Sequence, residues 1–227
     1  MKFMYLAATL FFGLVIVSSC KKDDNDSTFQ FDKYPRIKSI QYGVDSSSSI
    51  DYYEYDSKGR LNKLNQDGTI QNIEYSDSKV AWIYKDFHDT IFYALNSKGL
   101  AISYADLIYN EYDENGYLIH WYIDDTNASF ISILNGNMSS VKRIYSADTT
   151  FSTYEYSQKN NTIGYENMGM SFLGKQNINL TSKQIYHKNS DLPDTAYFSY
   201  EFDNKDRVTK QIANHKGKIN TTLYTYY

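Results

Sequence analysis

Chemistry needs side chains that ionise, ligate or attack, and this sequence is sparing with them. It holds one cysteine, Cys20, and four histidines, His88, His120, His187 and His215. No two histidines stand in a His-x-x-x-His or His-Glu-x-x-His spacing, and no second thiol exists to complete a metal site. Asp113-Glu114-Asn115-Gly116 is faintly like a calcium loop, but it lacks the alternating ligands and the closing Glu. A tight turn accounts for each of its residues, so no metal and no cofactor is expected. Neither a Gly-x-Ser-x-Gly elbow nor a phosphate- or dinucleotide-binding fingerprint is present. The expectation is a chain that is not an enzyme. A carboxylate pair for glycoside hydrolysis would escape such a reading, because its geometry is spatial rather than sequential. The candidate acids Glu54, Glu111, Glu155 and Glu201 fall at equivalent places in a repeat, which favours a surface role. Aromatic faces offer better binding chemistry. Trp82 and Trp121 could stack on sugar rings beside Asn and Asp, against the competing use of aromatics as packing across strands.

The sole cysteine has its own context. Lys2 precedes the apolar run from Phe3 to Val17, which is the length of a signal-peptide core and short for a transmembrane helix. Val17-Ser18-Ser19-Cys20 then resembles the lipobox of bacterial lipoproteins. That resemblance implies a diacylglycerol thioether on Cys20 and a further acyl chain, such as palmitate, on the new amino terminus. Several chains give stable anchoring where one is marginal. Lys21-Lys22-Asp23-Asp24-Asn25-Asp26-Ser27 can bury nothing and reads as a tether. Lys22-Asp23-Asp24 also resembles the surface-export signal of Bacteroidetes lipoproteins, which implies the outer membrane and its exterior face. The expected organisation is a signal peptide over 1–19, lipidated Cys20 and tether over 20–34, and one β-domain over 35–227.

Composition bounds the partners. Losing Lys2 with the signal takes the net charge from −4 to −5. An acidic surface does not attract nucleic acid by bulk charge. The membrane is met through the lipid on Cys20 instead. Tyr is unusually abundant, at 24 residues, with 12 Phe and 2 Trp. Tyr suits strands, where its ring packs and its hydroxyl finds a polar partner.

Those tyrosines fall in repeats. Tyr53-Glu54-Tyr55-Asp56-Ser57-Lys58-Gly59-Arg60-Leu61 aligns with Tyr93 to Leu100, with Glu111 to Leu118 and with Tyr200 to Val208; Tyr154 to Asn160 is a weaker fifth copy. In each, aromatics alternate into a turn as on a strand with one packed face. Asp or Asn opens the turn and can accept from a backbone N–H. Gly stands three positions later, where a bulged turn needs positive φ. Asn160 and Asp206 stand in place of that Gly. Each copy is expected to be one hairpin. Asp67-Gly68, Ser76-Asp77-Ser78, Asp124 to Asn127, Asn135-Gly136-Asn137 and His215-Lys216-Gly217 supply further turns. The expectation is an all-β fold, a sequential antiparallel meander of about fifteen strands. Such a meander hides its edges by curling, as a curled sheet or a water-soluble β-barrel. A membrane-spanning barrel fits poorly, since Leu61 to Gln66 breaks the apolar alternation a lipid face needs over ~9–11 residues.

The Tyr53 to Leu61 copy resembles the tyrosine–aspartate repeats of Rhs-type proteins, which build β-shells. The wider pattern resembles a Bacteroidetes lipoprotein family, a domain of unknown function with a porin-like barrel fold. The pattern comprises the lipobox, the acidic tether, the Tyr-Asp hairpins and the stretch from Leu173 to Leu180 ahead of Tyr200 and the terminal Tyr224 to Tyr227. That likeness implies a porin-like barrel and supplies no catalytic residues. Asp89-Thr90-Ile91, Asp148-Thr149-Thr150 and Asp194-Thr195-Ala196 resemble the O-glycosylation sequon of Bacteroidetes envelope proteins, which makes Thr90, Thr149 and Thr195 candidate acceptors. The expected function is a lipid-anchored cell-surface module binding a glycan or a protein. A structural envelope protein without a small-molecule ligand is the alternative, and a carboxylate-pair hydrolase a more remote one.

Overall fold

A computed structural model describes residues 34–44, 48–146, 148–188 and 192–227. Cys20, its tether and the signal segment lie outside the described residues. The sequence folds as sixteen antiparallel strands. They are β1 (Ile37–Tyr42), β2 (Ser49–Tyr55), β3 (Leu61–Gln66), β4 (Thr69–Tyr75), β5 (Lys79–Tyr84), β6 (Asp89–Leu95), β7 (Ala101–Tyr104) and β8 (Ile108–Tyr112). The second half comprises β9 (Leu118–Asp124), β10 (Asn127–Leu134), β11 (Asn137–Tyr145), β12 (Asp148–Asn160), β13 (Asn179–Lys188), β14 (Asp194–Phe202), β15 (Val208–His215) and β16 (Lys218–Tyr226). Each strand pairs with its neighbours in sequence, and β16 returns to pair with β1, closing the barrel. The meander is therefore a closed barrel rather than an open curled sheet.

Four of the five repeat copies form hairpin turns, between β2 and β3, β6 and β7, β8 and β9, and β14 and β15. The mechanism is local. Asp56 Oδ1 accepts from the backbone N–H of Lys58 and Arg60, both at 2.9 Å. Asp203 does the same with Lys205 at 2.9 Å and Arg207 at 3.0 Å, and Asn96 with Lys98 and Leu100. Asp206 adopts φ 56° where the other copies use Gly. The fifth copy does not turn. Residues 154–160 run straight on as the end of β12, a strand of 13 residues. At the position where the turning copies place Gly or Asp206, Asn160 instead pairs with Asn179 on β13.

All these turns lie at one end of the barrel, with the start of β1 and the end of β16. Between β12 and β13 the chain runs through 161–178 and crosses that end as a floor. Asn167 O accepts from Ile37 N at 3.1 Å, Gly169 O from Leu61 N at 3.0 Å, and Gly116 O from Lys175 N at 2.9 Å. Ile178 N donates to Gly136 O at 3.1 Å. The floor thus ties β1 to the turns after β2, β8 and β10. Gly169 (φ 70°) is required where it meets Leu61, because a Cβ there would lie 2.6 Å from that backbone nitrogen. The core sits above this floor. Met170 and Phe172 pack with Ile37, Leu61, Val80, Ala101 and Val208, the apolar residues that begin the strands there.

The tyrosine repeats also have a structural cause. Strand register slips by one residue near the floored end of β1, β3, β7, β9, β11, β13 and β15. Each such bulge interrupts the ladder. In all but β9, a tyrosine hydroxyl from the next strand donates to the carbonyl beside the bulge. Tyr55 reaches Ile37 O (2.5 Å), Tyr75 Leu61 O (2.9 Å) and Tyr112 Ala101 O (2.9 Å). Tyr156 reaches Met138 O (2.6 Å), Tyr200 Thr181 O (2.7 Å) and Tyr226 Val208 O (2.8 Å). Tyrosine fills an apolar interior while supplying the donor that a bulge demands.

Candidate functional site

Above the floor, the inward faces of β12 to β15 leave space. A cavity of about 220 Å³ is bounded below by Asn161, Ile163, Gln176 and Asn177 of the floor. Its walls are Tyr154, Gln184, Phe198, Tyr200 and Gln211. Tyr154, Gln184 and Phe198 reach it because strand alternation puts every second residue inside. Register confirms the set, since Tyr154 lies opposite Gln184 and Tyr200 opposite Gln211. Floor amides are partly committed. Asn161 Nδ2 donates to Asn177 O at 3.1 Å, and Asn177 Oδ1 accepts from Met138 N at 2.7 Å. The Tyr200 hydroxyl is pushed up to about 12 by burial, so it stays neutral at ordinary pH; its proton goes to Thr181 O, which leaves its oxygen as an acceptor.

A second space, of about 340 Å³, continues toward the open end past Gln184, between Tyr186, Asp194, Ala196 and His215. Asp194 Oδ2 accepts from His215 Nε2 at 2.8 Å and from Lys216 Nζ at 2.7 Å. The Lys216 hydrogen bond foremost, then that of His215, holds the Asp194 carboxyl below its usual range. Asp194 is the one carboxylate among the residues lining these two spaces. The arrangement offers amide donors and acceptors, phenol hydroxyls and aromatic faces. That is the lining of a polar-ligand site.

The structure distributes the sequence-derived candidates widely. Trp82 is on the inner wall of β5, half-buried against the core, with Nε1–H donating to Gln71 Oε1 at 2.5 Å. Its ring lies 6.3 Å from that of Tyr93. Trp121 is inward on β9, opposite Asn110 and Ser129. Neither tryptophan lines the two cavities of β12 to β15. Thr90, Thr149 and Thr195 each stand second in a strand leaving the open end, on the outer face opposite Ile83, Ile144 and Ile185. His88 is in a turn, while His120 and His187 are on the outer wall beside Phe130 and Phe151. Among the described residues no three His, Cys, Asp or Glu side chains gather as a metal site. The four repeat glutamates face outward as cross-strand pairs: Glu54 with Lys63, Glu111 with His120, Glu155 with Lys183 and Glu201 with Lys210.

Sequence reasoning missed the floor and its amides. The signal was there in part. Residues 161–178 lack alternation and form a connection far longer than the turns around them.

No protein-family model and no curated protein sequence matches this chain. Solved structures do match. A porin-like protein from Bacteroides uniformis aligns with a TM-score of 0.67 at 18% identity, over 86% of this chain and 100% of that one. A porin-like protein from Bacteroides vulgatus aligns with a TM-score of 0.62 at 8% identity, over 85% and 99%. The fold is porin-like. At such identities the likeness extends to the fold alone. Within this porin-like barrel, 161–178 lies across the end through which a channel would have to pass.

Proposed function

We propose that this chain is a non-catalytic binding module, a lipid-anchored protein of the bacterial outer surface whose floored barrel receives a glycan. The observation that carries this reading is the amide- and tyrosine-lined cavity standing on the floor of residues 161–178. Sugars are recognised by bidentate amides and by aromatic faces, and both converge there. The lipobox at Cys20 and the resemblance to Bacteroidetes lipoproteins support the anchor. β1 begins at the floored end, so an anchor ahead of it would leave the cavity mouth at the opposite end. A protein ligand fits this chemistry less well, since the inner cavity is small. The structural-envelope alternative draws support from Trp82, which packs on the core instead of standing free.

The test is a glycan array with the full chain, then calorimetry on any hit. Binding should appear and fall at least tenfold in Gln184→Leu and Phe198→Ala. No glycan above background, or binding indifferent to both substitutions, would defeat the proposal. Protease shaving of intact cells tests the surface location; a chain untouched until lysis would refute it.

A further inference from the structure

Four arginines occur in the chain, and three are tied down. Arg36 donates to Glu166 O, Arg60 pairs with Asp56, and Arg207 pairs with Asp203. Arg143 is different. Among the described residues it makes no hydrogen bond and no ion pair, although it is half-buried on the inward face of β11. Its neighbour Lys142 faces out. Across the inner wall, register sets Trp121, Ser129, Arg143, Thr150 and Lys188 side by side on five successive strands. Adjacent strands are about 4.8 Å apart, so the cations and hydroxyls in this row are near neighbours. Ser152 lies one inward position nearer the floor, opposite Tyr186, which lines the upper cavity.

Two hydroxyls in this patch have no partner. Ser129 and Ser152 are fully buried, and neither Oγ makes a hydrogen bond. A buried hydroxyl without a partner is a cost that an alanine would remove. A half-buried guanidinium without a counter-ion is a larger one. The other cations nearby are matched: Lys188 has Asp148 at 4.0 Å, while His215 and Lys216 share Asp194. The surplus positive charge and the orphan donors therefore coincide, inside a protein that is acidic overall.

We infer that the inner wall around Arg143 is an anion site, and that the glycan taken by the barrel carries carboxylate or sulfate groups. This rests on the glycan-binding reading and narrows it. Arg143 supplies the charge and, by its planar fork, a bidentate grip on a carboxylate. Ser129, Thr150 and Ser152 supply hydroxyl donors, and Trp121 supplies a flat face at the end of the row.

The test uses the full lipidated chain in detergent and two forms of one probe: an oligogalacturonate, and the same oligosaccharide with its carboxylates methyl-esterified. The acid form should bind at least tenfold more tightly than the ester, and more weakly as salt rises. Arg143→Gln should lose at least tenfold for the acid form while leaving the ester unchanged, and Arg143→Lys should recover part of the loss. Ser129→Ala should weaken binding of the acid form about threefold yet raise the unfolding midpoint, the opposite of what a purely structural serine would do. Since Arg143 holds nothing together, its variants should fold, and circular dichroism verifies that. Equal binding of both forms, unaffected by Arg143→Gln, overturns the anion site and leaves the glycan reading standing. Arg143-dependent binding of polyglutamate without binding of either sugar overturns the glycan reading and keeps the anion site. Binding of none of the three overturns both.

Discussion

At the floored end of the barrel, the turns after β2 and β14 are built bond for bond alike. Asp56 and Asp203 each accept two backbone N–H groups and an arginine Nε, at 2.8 Å from Arg60 and 2.7 Å from Arg207. Those arginines lie over Tyr75 and Tyr226, 4.3 and 4.5 Å from the ring centres. Each of these rings sends its hydroxyl back to the bulge that starts the returning strand. The open end is less uniform: the turns after β3 and β15 are alike, with Asn65 Oδ1 and Asn214 Oδ1 accepting from the N–H of Gly68 at 3.0 Å and of Gly217 at 3.2 Å, and the others differ. Its turns put Asp67, His88, Ala105, Asp106, Ser146 and Lys216 in the left-handed region, where the floored end mostly uses Gly. Val44, Phe87, Leu107 and Leu192 stand exposed there. One end repeats a solution because bulge, turn and floor constrain each other. The other varies more because, among the described residues, its loops share no crossing segment such as 161–178.

The widest separation between the two ends should come from adding one methyl group. Gly169→Ala places a Cβ 2.6 Å from Leu61 N and 2.8 Å from Gly59 O, both backbone atoms that cannot give way. Together with a left-handed φ, this should cost about 3 kcal/mol or more. Gly68→Ala at the open end has a φ of 93° but nothing within 4 Å of the new Cβ. Only the conformational cost remains, about 1 kcal/mol. Urea unfolding of both variants measures the gap, and equal midpoints would show that the floor is not a stabilising element.

The tyrosine–bulge bonds come next. Tyr75→Phe leaves the Leu61 carbonyl without its donor and should cost about 1–3 kcal/mol. Tyr197→Phe, on the outer wall with 57% of the residue exposed, should change stability by less than about 0.5 kcal/mol. Burial pushes all six bulge-capping hydroxyls up, those of Tyr200 and Tyr226 to about 12 against an ordinary 10.0. The folded state therefore holds these protons more tightly than the unfolded chain. Their contribution is complete below pH 10 and is lost as pH climbs from 10 toward 12. Tyrosine absorbance and circular dichroism should change together in that window. Tyrosines that ionise near pH 10 with the fold intact would contradict the bonding scheme.

These contrasts also mark what the sequence could reveal. The Asp-x-x-Gly turns were legible because their bonds span two to four residues. The closed barrel was legible too, since a meander of that length must hide its edges. The floor was not. Gly169 answers to Leu61 and Gly59, and Asn167 to Ile37, partners more than a hundred residues away that no local pattern encodes. The fifth repeat misled for the same reason: Tyr154 to Asn160 copies the approach to a turn, but the chain beyond it enters the floor. Arg143 was equally hidden. Beside Lys142 it reads as one of two surface charges, and only the register and the closure of the barrel put it inside.

Acid should discriminate the ends more finely. The Arg207 hydrogen bond chiefly, aided by two backbone amides, holds Asp203 at about 2, and the Lys216 bond chiefly lowers Asp194. A depressed carboxyl stabilises the fold above its unfolded value of 3.8, and that support fades as pH falls through the folded value. Asp203→Asn and Asp194→Asn should both flatten the acid limb of the stability curve. Their response to salt should differ. Asp203 is held partly by backbone N–H groups fixed in a turn, whereas the partners of Asp194 are two side chains, 48% and 68% exposed. Salt near 1 M should erase most of the Asp194→Asn effect and leave that of Asp203→Asn. Parallel salt dependence would remove the distinction between a built turn and a rim contact.

The smallest effect belongs to the outer wall at the floored end, where the repeat is as regular as inside yet solvated. Glu201 and Lys210 lie 2.8 Å apart across β14 and β15, as Glu54 and Lys63 do across β2 and β3, with both glutamates more than half exposed. Water screens both charges, and holding two long side chains in one geometry costs entropy. Glu201→Gln should therefore cost between about 0.2 and 1 kcal/mol and nothing measurable at high salt. A double-mutant cycle with Lys210→Met isolates the pair. A coupling well above that range would mean that regularity at this end stabilises from both faces of the sheet, and the comparison would then be between two ends of the barrel and no longer between its inside and its outside. A coupling near zero would leave the tyrosines, the bulges and the floor as the elements that make the two ends unequal.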